Sequence, residues 1–261
     1  MNTHKLLYAL AGLLAGCLLG FFFANSVNRT ELESLRSEAA RARASSGAQK
    51  NDVAGAGWGA GGIDKAAASM PSEAEMRELI VQADANATDV DYQRKVGQGI
   101  YMYALSTGQP ALMPDALRLL KRAHEVDPKN YETNLLVGNS LFALGQAGDA
   151  AKYEEARVYY GKAAEAKPDD PNVRALLGLT YFFGEPSDPE RAIKEYRKSL
   201  AADARHEMTL QSIASALIAT GAIAEAERRI EELQSVNAAN GALANLRGQL
   251  AQARNAAKEK D

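Results

Sequence analysis

Hydrophobic and polar residues are distributed unevenly along this chain, in four successive regimes. Leu6 to Phe23 are 18 consecutive uncharged, mostly apolar residues. At about 1.5 Å per residue a helix of that run spans roughly 27 Å, close to the ~30 Å hydrocarbon core of a bilayer. Arg29 to Ala44 are polar, with Leu32 and Leu35 as the main apolar points, and predict a short solvated helix. The stretch lacks the three or four heptads of a coiled coil. Ser45 to Pro71 are rich in Gly, Ala and Ser, a composition that buries too little apolar surface to order itself and predicts a flexible tether. Beyond Pro71, apolar positions recur at helical spacing to the end. Pro71-Ser72 signals a helix start before Glu73 to Ala85, with Met76, Leu79, Ile80 and Ala83 on one face. Gly241 to Lys258 puts Leu243, Leu246 and Leu250 on one face and closes the pattern.

Between those two helices the pattern repeats itself. Small residues stand at Ala116, Ala156, Ala192 and Ala226, spaced 40, 36 and 34 residues apart. Four residues later come Leu120, Tyr160, Tyr196 and Ile230, then Ala123, Ala163, Ser199 and Leu233, then Pro128, Pro168, Ala204 and Ala238. An upstream set reads Gly97, Gly138, Gly178 and Ala214, followed three residues on by Ile100, Leu141, Tyr181 and Leu217. Each unit is a pair of antiparallel helices that cannot bury its apolar face alone, so neighbours must stack into one continuous core. Pro128 and Pro168 mark where a second helix has ended.

This pattern resembles the tetratricopeptide repeat family over about residues 90–239, as four units. The consensus Trp of the first helix is replaced by Gln93, Asn134, Arg174 and Leu210. Extra residues fall between the helices of the first three units, at Thr107 to Pro114, Gln146 to Tyr153 and Gly184 to Pro189. The fourth unit has the family's own length, with Gly221 at its turn. The expected fold is all-α: a solenoid of about four helix pairs with capping helices, preceded by one transmembrane helix and a linker. The domain boundaries are 1–26 for the anchor, 27–44 for the juxtamembrane helix, 45–70 for the linker and 71–261 for the repeats.

The resemblance implies function by binding a protein or peptide on the concave face built from the first helix of each pair. Carrying the family's groove positions onto this sequence gives Arg94, Gln98, Tyr101 and Met102; Glu132, Leu135, Asn139 and Phe142; Leu179, Phe182 and Phe183; and Gln211, Ser215 and Ile218. Such a lining suits a hydrophobic or amphipathic segment. Arg94 and Asn139 stand where a carboxylate clamp would begin, but Ala175 and Gln211 occupy the later positions that would need basic residues.

Charge and chemistry narrow the reading. With 30 basic against 33 acidic residues, nothing points to nucleic acid held by bulk charge. The first 70 residues are slightly basic and the repeats acidic. A single Cys excludes an intrachain disulfide and a Cys-rich zinc site. His124 and His206 are far apart in sequence with no metal-ligand spacing, and His124 falls near a helix C-terminus, where a cation is favoured. No catalytic constellation, cofactor site or metal site is expected. The run Gly57-Trp58-Gly59-Ala60-Gly61-Gly62 formally matches a dinucleotide fingerprint, but no strand precedes it.

The apolar start admits three fates. A retained signal-anchor is expected, because the run exceeds the 7–15 residues of a cleaved signal's core. Cleavage near Ser26 and lipidation at Cys17, in the lipobox-like Leu14-Ala15-Gly16-Cys17, are the alternatives. Together these features predict a single-pass protein of a bacterial inner membrane, its repeats in the periplasm. It would serve as a scaffold or assembly factor for envelope complexes, in the manner of cytochrome c biogenesis factors. A permanent structural subunit of a membrane complex, or a lipidated or secreted repeat protein, are the alternative readings. Oligomeric state is left open.

Overall fold

The computed structural model describes residues 71–258. Within them lie ten α-helices and one short 3-10 turn, Pro110–Leu112. The helices are α1 (Glu73–Ala85), α2 (Val90–Thr107), α3 (Met113–Val126), α4 (Tyr131–Gln146), α5 (Ala151–Ala166), α6 (Pro171–Phe183), α7 (Pro189–Ala202), α8 (Glu207–Ala219), α9 (Ile223–Val236) and α10 (Leu243–Lys258). The apolar run, the polar helix and the tether expected before Pro71 lie outside the described residues.

Local chemistry sets the helix boundaries. Ser72 and Glu75 form a reciprocal capping box at the start of α1. Asp89, Asn130, Asp170 and Asp188 cap α2, α4, α6 and α7, each accepting from a first-turn amide. The left-handed Gly108 stops α2 (φ 65°), and Gly221 makes the α8–α9 turn (φ 78°). The expected loops shrink against this background. Thr107 and Gln146 still belong to α2 and α4, and Met113, Pro114, Ala151 to Tyr153 and Pro189 are already helical. Some of the inserted residues lengthen helices, whereas residues 147–150 and 184–188 stay non-helical.

The closest neighbours are the sequential pairs α2/α3, α4/α5, α6/α7 and α8/α9. The helix α1 sits before the first pair like a lone second helix, and α10 follows the last like a lone first helix. The even-numbered helices come close to one another at three of their four successive steps, α2/α4, α6/α8 and α8/α10, whereas successive odd-numbered helices stay farther apart. A stack spaced more tightly on one layer than on the other curves toward the tighter layer. The even-numbered helices therefore form the inner face.

Within each pair, approach is limited by one contact. A Cβ added at Gly138 would lie 2.7 Å from the Tyr160 ring, and one at Gly178 would overlap the Tyr196 ring. At Gly97 it would meet Leu120 Cγ at 2.8 Å. In the fourth pair Ala214 and the smaller Ile230 hold the corresponding repeat positions, and both are buried in the same cluster. The small residue and the large one are thus matched within each pair. The buried side chains form one cluster over α1 to α3, a second running from Leu120 to Leu250 with Leu136 packed against both, and a small third of Ala163, Ala164 and Val173. All four apolar residues expected on α1, and the three leucines on α10, are buried.

Replacing Gly178 by Ala should lower unfolding free energy by about 1–3 kcal/mol through overpacking. Combined with Tyr196→Ile, it should show a favourable coupling of about 1 kcal/mol in a double-mutant cycle, because that pair reproduces Ala214/Ile230. Denaturant titrations of the four proteins check this, and simple additivity would refute the matched-pair account.

Candidate partner-binding face

The inner helices are poor in charge. Asp91, Arg94, Lys95, Glu132, Arg174 and Glu207 are the only charged residues of α2, α4, α6 and α8. Each of the outer helices α3, α5, α7 and α9 holds five or six. Outer-layer charges staple neighbours together: Asp84 of α1 takes both Arg118 and Arg122 of α3, Lys121 reaches Glu155, and Arg197 reaches Glu225.

The expected groove residues separate into two groups. Tyr101, Met102, Asn139, Phe142, Leu179 and Phe182 are buried, at 3–7% exposure, and belong to the core rather than to an open surface. Asn139 accepts from the Tyr160 hydroxyl at 2.8 Å, so its amide serves the pair that contains Gly138. Phe142 packs edge-on against Tyr153, 5.1 Å between centroids, and Phe182 against Phe183 at 5.2 Å. Tyr153 also stacks on Phe183, and burial pushes its hydroxyl pKa up to about 12. These rings seal the step between the second and third pairs. Arg94, Gln98, Leu135, Phe183, Gln211, Ser215 and Ile218 remain partly exposed, and Glu132 is exposed. Arg94 is not free to clamp a carboxylate. It holds Glu132 at 2.8 Å and touches Asp91, while Asn139 is committed inside, so no clamp assembles.

No family model matches the chain, and no curated protein matches it. Solved structures do. MamA of Desulfovibrio magneticus RS-1, from residue 41 to its end, superposes with a TM-score of 0.55 at 15% identity, over 81% of this chain and 97% of that one. Another MamA crystal structure gives 0.51 at 20% identity, over 62% of this chain and 86% of that one. A thermophilic TPR protein of Thermus thermophilus gives 0.49 at 16% identity, over 69% and 89%. Four helix pairs in one register, with small residues meeting large ones at the same two points of each, decide the architecture. The fold is a tetratricopeptide-repeat solenoid.

Within the repeats, the residues that replace the consensus Trp share a task that the sequence did not disclose. Gln93 donates to the carbonyls of Ala83 and Asn86. Asn134 donates to Pro128 O at 2.9 Å and Asn130 O at 2.8 Å. Arg174 donates to Pro168 O at 3.1 Å and to Glu195 at 3.2 Å. Three different polar side chains thus reach back to the preceding helix end or loop; the Pro128 and Pro168 carbonyls gain a donor there, and those of Ala83, Asn86 and Asn130 gain a second one beside a backbone N–H. Leu210 has no such group, and a different network stands beside it. Ser199 donates to Pro171 O at 2.7 Å and meets Thr209 at 2.6 Å, and Thr209 meets His206 Nδ1 at 2.7 Å. The signal in the sequence is a polar residue at one fixed offset before each repeat glycine.

Two further residues are placed by their surroundings. Tyr181, a repeat-defining position, packs half-buried against the core and lies under Arg157, whose guanidinium sits 4.2 Å from the ring centroid. Arg157 also donates to Thr180 O at 3.0 Å, which fixes it there. The second is His124, expected where a helix terminus favours a cation. It is instead buried, and Lys162 Nζ lies 3.0 Å from Nε2. An ammonium has only protons to give, so Nε2 accepts and the ring proton sits on Nδ1. Burial first, and the Lys162 charge second, hold the imidazole pKa below its ordinary 6.5, against a smaller opposing effect from Asn134.

The sign of the resulting pH dependence follows. A histidine with a depressed folded pKa contributes stability above its unfolded pKa, and the contribution is lost as pH falls below that value. Wild-type stability should therefore decline from about pH 7 to about pH 5 more steeply than that of His124→Gln. Parallel denaturation curves across that window would show that His124 is not held neutral. Separately, Asn134→Ala should cost about 1–3 kcal/mol by removing the side-chain donor to the Pro128 carbonyl, and thermal melts with intact helicity check it.

Proposed function

We propose that this chain is a membrane-anchored scaffold that captures a protein partner on the inner face of its repeats and helps assemble envelope complexes. The observation that carries the reading is the division of the solenoid into two unlike layers. The outer layer uses its charges for bonds between its own helices. The inner layer keeps a run of half-exposed, largely uncharged side chains from Gln98 to Ile218. Among the described residues no group of three His, Cys, Asp or Glu could hold a metal ion, and no helix is long and apolar enough to cross a membrane. The anchor assignment rests on the apolar run Leu6 to Phe23. On the strength of that run we place the protein in the inner membrane with periplasmic repeats, and take cytochrome c biogenesis as the kind of pathway it would serve.

One observation favours reversible capture over permanent burial in a larger complex. The large apolar side chains exposed among the described residues are three valines, Val81, Val126 and Val158. A permanent interface would expose a larger apolar area with bulkier side chains.

Two measurements test the proposal. In spheroplasts, added protease should digest the repeats without permeabilisation; protection until lysis would place them in the cytoplasm. Photo-crosslinkers at Gln211 and Ser215 should yield a discrete partner adduct from native membranes. Crosslinkers at Lys194 and Arg228 of the outer layer should not. The reverse pattern would move the binding surface to the outside of the solenoid. Asn139 and Phe182 are unsuitable probes, because both are buried and their loss would report on folding.

A further inference from the structure

We infer that the segment seated on the inner face of α6, α8 and α10 is uncharged, built from small apolar and amide or hydroxyl side chains. This rests on the proposal that the inner face binds a partner. What carries it is where the charges of this region go. Arg174 is turned to Pro168 O and Glu195, away from the inner surface. Glu207 accepts from Asn237 at 2.9 Å and Asn240 at 3.0 Å. Arg247 is engaged by Gln234 of α9. Every charged side chain of α6, of α8 and of the first three turns of α10 is thus hydrogen-bonded within the scaffold, Arg174 to an opposite charge and Glu207 and Arg247 to neutral amides.

What remains half-exposed there is Phe183, Met208, Gln211, Ser215, Ile218 and Gln249. Part of the polar capacity is also used locally. Ser215 donates to Gln211 O at 3.3 Å and Gln249 donates to Asn245 at 3.0 Å. The sealed aromatic step beside Phe183 bounds this surface on one side. Phe142, Tyr153 and Phe182 fill the space that a large partner side chain would need.

The electrostatic consequence is selective. A Lys, Arg, Asp or Glu brought onto the half-exposed side chains of this surface would lose water beside neutral groups, with Glu207 and Arg247 already held at its edges by Asn237, Asn240 and Gln234, so its desolvation would be poorly compensated. Amide and hydroxyl groups on the partner can exchange water for Gln211, Ser215 and Gln249, and small apolar groups can cover Met208 and Ile218. The surface therefore accepts a neutral segment and rejects charged ones, while the densely charged outer layer keeps the domain soluble.

The test uses the full chain in detergent micelles and a displayed library of random peptides as probe. Peptides selected by the wild type should be depleted of Asp, Glu, Lys and Arg relative to the input, and their binding should be almost independent of salt. The variant Ser215→Glu should bind them about tenfold more weakly and should instead select Lys- or Arg-bearing peptides; Gln211→Glu serves in its place should Ser215→Glu lose helicity. Peptides rich in charge, with binding that falls steeply as salt rises and is weakened by either substitution, would leave inner-face binding standing and overturn the neutral-segment inference. Selected peptides indifferent to both substitutions, or no selection at all by the folded protein, would overturn inner-face capture together with the inference.

Discussion

The structure depends on how closely two antiparallel helices can lie. In each repeat a residue with little or no side chain on the first helix faces a bulky one on the second, and the gap between backbones is set by that single match. Gly138 accepts the Tyr160 ring, Gly178 the Tyr196 ring and Gly97 a leucine, and Ala214 and an isoleucine hold the corresponding positions of the fourth pair. Interiors packed at crystal density have no slack to absorb an extra methyl group at such a point. Everything farther out follows from the distance this contact sets, including the depth of the core, the reach of Asn139 to Tyr160 and the spacing of the inner helices.

Stacking is then secured by two different means. The outer layer uses ion pairs between neighbouring helices, most of them partly exposed and so individually worth little in water. The inner edge uses hydrogen bonds that satisfy backbone groups, together with short links such as Tyr131 to Asp170 at 2.6 Å and His206 to Asn172 at 3.0 Å. The second kind is harder to lose, because an orphaned carbonyl costs more than a screened ion pair contributes. Confining charge to one layer also leaves the other layer open to a partner that carries none.

Much of this is legible in the sequence. The periodicity yields the helix pairs, their register and both end helices, because burial and close approach each leave a fixed spacing of small and apolar residues. Glu73 to Ala85 is placed to the residue, since a capping box and a four-residue apolar face coincide there. The inner face is less legible. Tyr101, Asn139, Phe142, Leu179 and Phe182 stand at family groove positions, yet whether such a position is open depends on the neighbouring helix and on the rings beside it. His124 is hidden from sequence reasoning for the same cause: its partner Lys162 lies 38 residues away, on the next outer helix.

Gln93, Asn134 and Arg174 bear on how a chain like this can be recognised at all. Where relatives carry one large aromatic residue, this protein carries three unlike polar ones that perform one repeated duty toward the preceding loop. A description that scores each column for a favoured residue type registers three mismatches there, and further ones wherever a glycine–tyrosine pair has been exchanged for alanine–isoleucine. The quantity that persists between such chains is a relation between positions. Likeness of this kind is visible in superposed backbones where residue-by-residue comparison does not register it.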